Sequence, residues 1–143
     1  MVDRSEAVLR DAIEALYFGY RAFTGRADRI LAGRGLGRLH HRILYFVGRN
    51  PGVPVKGLLA ILSVSKQAIN APLRQLMEMQ LIAQTTAPED RRVKRLRLTD
   101  EGARLEAELS GVQMGQIAAA FEAAGADAQA GWAAVMARLA DRG

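Results

Sequence analysis

Half of the 143 residues are hydrophobic and about a quarter are charged, which predicts one folded domain with a real core, or a helical protomer completed by a partner. The absence of cysteine excludes disulfides, thiolate metal sites and cysteine redox chemistry. Acidic side chains stand among the apolar residues of the first 20 positions, so we expect no signal peptide and no membrane span, and predict a cytoplasmic location.

The formal net charge of +5 conceals a division along the chain. Residues 34–97 contain twelve Lys and Arg but three acidic residues, a net charge of +9, whereas the rest of the chain has eight basic and twelve acidic residues. A basic middle predicts contact with a polyanion, and the flanks then have another role. A solvated basic face is the alternative at this point.

Both ends of the chain have the periodicity of long amphipathic helices. Apolar residues recur at helical spacing from Ser5 to Leu31, and glycines at positions 33, 35 and 37 follow. The same spacing runs from Glu101 to about Ala123, and a last helix containing Trp132 follows the break at residues 125–127.

The middle of the chain predicts a helix-turn-helix. A helix over residues 38–49 ends at the turn sequence NPGVP, residues 50–54, since proline cannot continue a helix. A short helix follows over residues 56–62. The serine-rich residues 63–65 supply a turn and two possible N-caps, and a helix extends from about residue 66 to residue 80.

A change to strand periodicity follows. Residues 81–86 and 93–99 are rich in β-branched or alternating residues, with Pro88-Glu89-Asp90 between them. We predict a two-stranded hairpin with one face on the core and the other basic, which is a wing. Thr99 is placed to cap the next helix. The fold is therefore expected to be mainly α with a small β-hairpin wing.

The second helix of a helix-turn-helix reads bases in the DNA major groove through its N-terminal and outward-facing side chains. Here those candidates are Ser65, Lys66, Gln67, Asn70 and Arg74. Gln67 and Asn70 carry the donor and acceptor that adenine requires, and Arg74 suits guanine or phosphate. The polar side of an ordinary amphipathic helix would look similar, and the neighbouring basic hairpin favours DNA.

The hairpin concentrates basic residues beside its turn. Its DNA-binding candidates are Asp90, Arg91, Arg92, Lys94 and Arg95. An arginine is attracted into a narrow minor groove, and a carboxylate such as Asp90 can hold the guanidinium of Arg91 or Arg92 bidentately beforehand. Arg95 and Arg97, farther along the strand, are expected to meet phosphates.

Three stretches, SVSKQAINAPLRQLMEMQLI (63–82), DRR (90–92) and LRLTDEG (96–102), together resemble the MarR family of bacterial transcriptional regulators. The resemblance implies a winged helix-turn-helix lobe over residues 36–100, with residues 1–35 and 101–143 forming a helical dimerisation region of one MarR-like domain. It further implies that Asp90 supports an arginine and that Arg92 enters the minor groove. The protein would be a homodimeric, sequence-specific regulator of near-palindromic operators in double-stranded DNA, acting as a ligand-responsive repressor.

Two residues depart from the family pattern. Gln80 stands where the family usually has glycine, and left-handed backbone would be strained there, so this corner is expected to be built differently. Pro72 lies within the predicted recognition helix and removes one of its hydrogen bonds. Either the helix is kinked or regular helix begins near Pro72.

The remaining candidates concern small molecules. By resemblance, a small aromatic or anionic effector would bind near Tyr17, Tyr20, Phe23, His41 and Tyr45, although the same residues could simply pack a core. His40 and His41 are adjacent, point about 100° apart on a helix, and so predict no metal site. No catalytic motif or cofactor signature is present, and no enzyme is predicted. The alternative function is a winged-helix module that docks an acidic protein without reading DNA.

Overall fold

The computed structural model describes residues 1–141, and the chain forms six helices and three strands within them. In chain order these are α1 (Glu6–Ala32), α2 (Arg38–Arg49), β1 (Val53–Pro54), α3 (Val55–Leu62), α4 (Lys66–Glu78), β2 (Ile82–Ala87), β3 (Asp90–Leu98), α5 (Asp100–Ala124) and α6 (Ala126–Ala140). The strands form one antiparallel sheet in the order β1-β3-β2. The mainly helical winged helix-turn-helix predicted from the sequence is confirmed.

Contacts divide the chain into two compact units. Within the described residues, the terminal unit comprises residues 1–24 and 111–141, and the central unit extends from Gly25 to Ser110. The central unit contains the whole basic segment. The predicted limits of the DNA-binding lobe at residues 36 and 100 concern function and stay a prediction.

The central unit contains the hydrophobic core. Its fully buried side chains come from α1, α2, α3, α4, the sheet and α5, and include Leu31, Ile43, Leu44, Val47, Leu58, Ile69, Leu76, Leu81, Leu96 and Leu109. On α2 the buried residues are Ile43, Leu44 and Val47, which recur at helical spacing and leave basic residues outside. The core therefore fixes α3, α4 and the sheet against one another.

The predicted two-stranded hairpin is present as β2 and β3, and a third strand that the sequence did not indicate, β1, extends the sheet. Gly52 adopts a positive φ of 84°, and its N–H donates to the carbonyl oxygen of Leu96 at 2.9 Å. This turn places Val53 opposite Leu96 and Pro54 opposite Arg95. The β1 strand is two residues long, too short to produce an alternating pattern in the sequence.

The terminal unit has almost no buried interior of its own. Among its described residues Thr24 alone is buried, with 6% of its surface exposed. Large apolar side chains lie exposed along α1 and α6, including Val8, Leu9, Ile13, Leu16, Phe18, Trp132, Val135 and Leu139. Internal contacts do occur, since the Gln116 side-chain amide donates to the Ala22 carbonyl at 3.1 Å and Phe121 meets Trp132 edge to face.

Over residues 1–141, none of the helices combines the length and apolar character needed to cross a membrane.

Candidate nucleic-acid interface

The turn between α3 and α4 spans residues 63–65, as predicted. Ser63 takes left-handed backbone at a φ of 53°, and the next amide, that of Val64, donates back to the Leu59 carbonyl at 3.3 Å. Ser65 then caps α4, because its Oγ accepts from the Ala68 amide at 3.1 Å. The hydroxyl satisfies one of the free N–H groups at the helix start and so fixes where α4 begins.

Helix α4 separates an apolar face from a polar one. Ile69, Leu73 and Leu76 are buried in the central core. The five side chains predicted to read bases are all exposed: Ser65, Lys66, Gln67, Asn70 and Arg74. Since Lys66, Asn70 and Arg74 follow at four-residue intervals, they lie along one side of the helix.

Pro72 does not delay the helix. Regular α4 begins at Lys66 and continues through Pro72 to Glu78, so the alternative in which regular helix begins near Pro72 was wrong. The bond lost at the Pro72 nitrogen is the one to the Ala68 carbonyl. The Ser65 cap and the buried Ile69 and Leu73 hold the helix on both sides of this defect.

The expectation that the Gln80 corner is built without left-handed backbone was also wrong. Gln80 has a φ of 61°, and its N–H donates to the Met77 carbonyl at 3.0 Å while the Leu81 N–H donates to the Leu76 carbonyl at 2.9 Å. This hydrogen-bond pattern is common at helix C-termini, where glycine usually occupies the left-handed position. The hydroxyl of Thr99 adds a bond to the Gln80 carbonyl at 2.6 Å, which holds a glutamine in this conformation.

Thr99 has a second role at the same corner. Its Oγ1 accepts from the Gly102 N–H at 3.0 Å and caps α5, as predicted, while its own N–H donates to the Leu81 carbonyl at 3.1 Å. Gly102 lies directly against Leu81, because a Cβ built there would come within 2.9 Å of the Leu81 carbonyl carbon. Glycine at position 102 therefore permits α5 to approach the end of α4.

His40 links α2 to α4, a role that was not predicted from the sequence. The Gly37 N–H donates to His40 Nδ1 at 3.0 Å, so Nε2 is left to donate to Gln75 Oε1 at 2.8 Å. The Gln75 amide in turn donates to the Gly35 carbonyl at 3.3 Å. The partners lie 35 and 40 positions apart in the sequence, so no local pattern could have revealed them.

The wing tip, residues 88–93, contains a bulge. Below it the two long strands pair regularly from Ile82 opposite Leu98 to Thr86 opposite Lys94, but the next pair is Ala87 opposite Asp90. Three residues of β3, Arg91 to Val93, therefore have no pairing partner in β2. Asp90 belongs to β3, not to the turn in which it was predicted. Bulges of this kind redirect side chains at the edge of a sheet.

Asp90 and Arg92 form a bidentate ion pair. Its carboxylate accepts from Arg92 Nε at 3.2 Å, from Nη2 at 3.3 Å and from the backbone N–H at 3.0 Å. These bonds from Arg92 lower the pKa of Asp90, because they stabilise the ionised carboxylate. The Arg92 side chain nevertheless stays 91% exposed. Of the two partners predicted for Asp90, the structure selects Arg92, which leaves Arg91 as an exposed residue of the bulge.

The other two wing candidates make contacts within the sheet. Lys94 Nζ lies 3.4 Å from Thr86 Oγ1, and the Lys94 side chain is exposed. Arg95 donates to the Gly52 carbonyl at 3.2 Å and to Glu89 Oε1 at 2.8 Å, and 37% of its side chain is exposed. Arg95 therefore bonds to two separate segments of the chain, whereas Arg92 bonds to Asp90 within the tip.

The five candidate effector residues belong to different units. Tyr17, Tyr20 and Phe23 lie on α1 in the terminal unit, where both tyrosines are exposed. His41 and Tyr45 lie half-buried on α2 in the central unit. Their common pocket stays a prediction.

The two histidines differ in environment. Burial lowers the pKa of His41, an effect that Glu106 and Asp28 oppose and Arg42 reinforces, so the imidazole is neutral at pH 7. Among residues 1–141, no group of three or more histidine or acidic side chains is arranged to hold a metal ion.

Comparison with known proteins adds to this geometry. The model of the MarR family matches residues 34–93. The HTH-type transcriptional regulator PetP of Rhodobacter capsulatus is 43% identical over 133 residues, which cover 93% of this chain and 80% of that protein.

Two solved structures have the same fold. FabT of Streptococcus pneumoniae, in complex with DNA, has a TM-score of 0.82 at 16% identity and covers 92% of this chain and 94% of its own. MarR of Staphylococcus aureus, in complex with salicylate and kanamycin, has a TM-score of 0.76 at 20% identity and covers 95% of this chain and 92% of its own. Together with the PetP match, the family model identifies the chain: it belongs to the MarR family of DNA-binding transcriptional regulators, which are not enzymes.

Proposed function

We propose that this regulator is a homodimeric, ligand-responsive repressor that acts in the cytoplasm by blocking a promoter at a near-palindromic operator. The observation that carries the DNA-binding part is the exposed Arg92, whose guanidinium is oriented by Asp90 before any DNA arrives. An arginine held in this way loses little conformational freedom when it enters a minor groove. The relative FabT binds DNA with the same fold, which supports this assignment.

The helix α4 supplies the sequence reading in this proposal. Gln67 and Asn70 stand exposed near its N-terminus, on the side away from the buried Ile69 and Leu73. Their amides would donate and accept at base edges in the major groove, while Lys66 and Arg74 meet phosphate or guanine. The net charge of +9 over residues 34–97 provides the long-range attraction.

The second copy of the chain is inferred from the terminal unit. Among residues 1–24 and 111–141 no large apolar side chain is buried, and such a group of amphipathic helices is not expected to be stable alone. Ile13, with 67% of its surface exposed, and the apolar residues beside it on α1 and α6 are suited to pack against another copy. A homodimer also matches an operator built of two half-sites.

Responsiveness to a ligand is the third part. Staphylococcus aureus MarR binds salicylate, and aromatic side chains such as Tyr17 and Tyr20 suit a small aromatic or anionic molecule. If such a ligand binds more tightly to a conformation of the protein that has lower affinity for the operator, its binding would release the DNA.

Fluorescence anisotropy on the upstream DNA of its own gene, against a scrambled duplex, tests the DNA-binding part. With six to ten phosphate contacts, affinity should fall roughly 10³- to 10⁵-fold between 50 and 200 mM salt while the preference for the upstream sequence persists. Arg92→Ala should weaken binding to all sequences, whereas Gln67→Ala should relax discrimination at one base position per half-site. Binding without sequence preference would instead favour a module that docks an acidic protein.

Light scattering after size exclusion tests the dimer. Wild type should have twice the chain mass of 15.5 kDa. Ile13→Glu should shift the mass toward a single chain, because a carboxylate would be buried at the interface. The exposed central-unit residue Ile61 offers a matched control, since Ile61→Glu should leave the mass unchanged.

A further inference from the structure

Arg95 differs from the other arginines of the wing in how its guanidinium is used. One terminal nitrogen donates to the Gly52 carbonyl at 3.2 Å and the other to Glu89 Oε1 at 2.8 Å. Its side chain is 37% exposed against 91% for Arg92. The positive charge of Arg95 is also neutralised locally by the Glu89 carboxylate, and the hydrogen bond from Arg95 lowers the pKa of Glu89.

The two partners of Arg95 lie at opposite ends of the wing. Glu89 is in the two-residue turn at the tip, and Gly52 is in the turn that leads into β1 on the far side of β3. Arg95 itself pairs with Thr85 on one side and Pro54 on the other, in the regular part of the sheet. A single side chain therefore connects the tip to the base of the sheet, across the bulge.

The bulge explains why such a connection is needed. Residues 91–93 take no part in the strand pairing, so the ladder is interrupted above Lys94 and the tip rejoins β2 at the Ala87–Asp90 pair. The Asp90–Arg92 pair joins residues two positions apart, both within the tip, and thus shapes the tip without attaching it to the sheet. Beside the Ala87–Asp90 pair, the Glu89–Arg95–Gly52 connection attaches the tip to the far edge of the sheet.

We propose that Arg95 is a positioning residue that holds the wing tip on the sheet so that Arg92 is presented to the minor groove, and that it is not a phosphate contact. The proposal rests on the DNA-binding function proposed above and revises the expectation that Arg95 meets phosphate. In this proposal Glu89 also has a role. Although it is acidic and lies at the DNA-binding tip, it strengthens DNA binding because it orients Arg95.

Glu89→Ala gives the sharpest test, because a purely electrostatic role and a positioning role of Glu89 predict opposite changes in the affinity for DNA. Removing a carboxylate near DNA should tighten binding if Glu89 acts only through charge. If Glu89 orients Arg95, affinity for the upstream duplex should fall about 3- to 10-fold, the loss expected from an ion pair and a hydrogen bond of ordinary strength. Glu89 is in an exposed turn, so the fold of the variant is not at risk.

Arg95→Lys and Arg95→Ala separate positioning from phosphate contact. Lysine keeps the charge but cannot bridge two acceptors as the planar guanidinium does, so Arg95→Lys should lose nearly as much affinity as Arg95→Ala. Both variants should keep the wild-type salt slope, and Glu89→Ala combined with Arg95→Ala should be no weaker than Arg95→Ala alone. Near-wild-type affinity for Arg95→Lys, with a slope reduced by about 0.9 in Arg95→Ala, would instead identify a phosphate contact.

Hydrogen exchange without DNA makes the test independent of operator binding. Amides of the wing tip should exchange faster in Glu89→Ala and in Arg95→Lys than in wild type, whereas Arg97→Ala, on the same strand and exposed, should leave them unchanged. Unchanged tip exchange in the first two variants would overturn the proposal. If wild type bound DNA without sequence preference, the proposed DNA-binding function would be contradicted. The hydrogen-exchange result would still show whether the Glu89–Arg95–Gly52 connection holds the wing tip on the sheet.

Discussion

Replacing Gly102 with alanine is expected to damage the corner where α4, β2 and α5 meet. The added methyl group would point at the carbonyl of Leu81, within 2.9 Å of its carbon and 3.2 Å of the Leu81 Cα. Both neighbours are backbone atoms of a fully buried residue, so no rotamer change can relieve the overlap. Helix α5 must move away, which stretches the bond from the Thr99 N–H to the Leu81 carbonyl.

The loss of stability follows from three terms. Overpacking of a rigid site costs about 1–3 kcal/mol. The weakened backbone hydrogen bond adds about 0.5–1.5 kcal/mol. Because alanine is a better helix former than glycine, the substitution also stabilises α5 by about 0.5–1 kcal/mol, which offsets part of this loss. Gly102→Ala should therefore lower the free energy of unfolding by about 2 kcal/mol.

Urea unfolding followed by circular dichroism, at one protomer concentration for all variants, measures this difference. Gly25→Ala is the matched control: it makes the same change in a helix of the central unit, and a Cβ there would be 3.6 Å from the end of the Arg29 side chain. It should raise stability by about 0.5–1 kcal/mol. A Gly102→Ala protein as stable as Gly25→Ala would refute the close approach of α5 to Leu81.

Two further predictions concern backbone strain and pH. Gln80→Gly should stabilise the protein by up to about 1 kcal/mol, because glycine adopts the left-handed backbone at a lower cost, and urea unfolding would measure it; a destabilised variant would mean that the glutamine side chain contributes more than its backbone costs. Because burial lowers the pKa of His41 below its ordinary value of 6.5, the unfolded chain binds the proton more tightly, and stability should fall as the pH is lowered through 6.5 toward the folded pKa. His41→Gln should flatten that part of the stability profile between pH 7 and 5, and an unchanged profile would show that His41 is not its source.

Local signals in the sequence predicted the elements that depend on neighbours along the chain. The apolar spacing and the turn residues placed α2 at Arg38–Arg49, and the serine before Lys66 located the start of α4. The Asp90–Arg92 pair was accessible for the same reason, since its members are two positions apart.

Features that depend on distant partners could not be predicted. The β1 strand exists because Gly52 bonds to Leu96, and left-handed Gln80 is held by the Thr99 hydroxyl 19 positions away. The bond from Arg95 to a carbonyl 43 positions earlier was hidden because a run of basic residues contains no information about such a partner. The role of His40 was hidden in the same way.

The bulge in β3 also separates two kinds of evolutionary change. Buried Ile82 and Leu96 fix the strand register below Lys94, and any slip there would turn core residues to solvent. The three inserted residues, Arg91 to Val93, lie outside this pairing, so a substitution among them does not shift that register. Substitutions at the wing tip can therefore change the shape and charge of this end of the sheet while the strand register and the folded core remain unaltered.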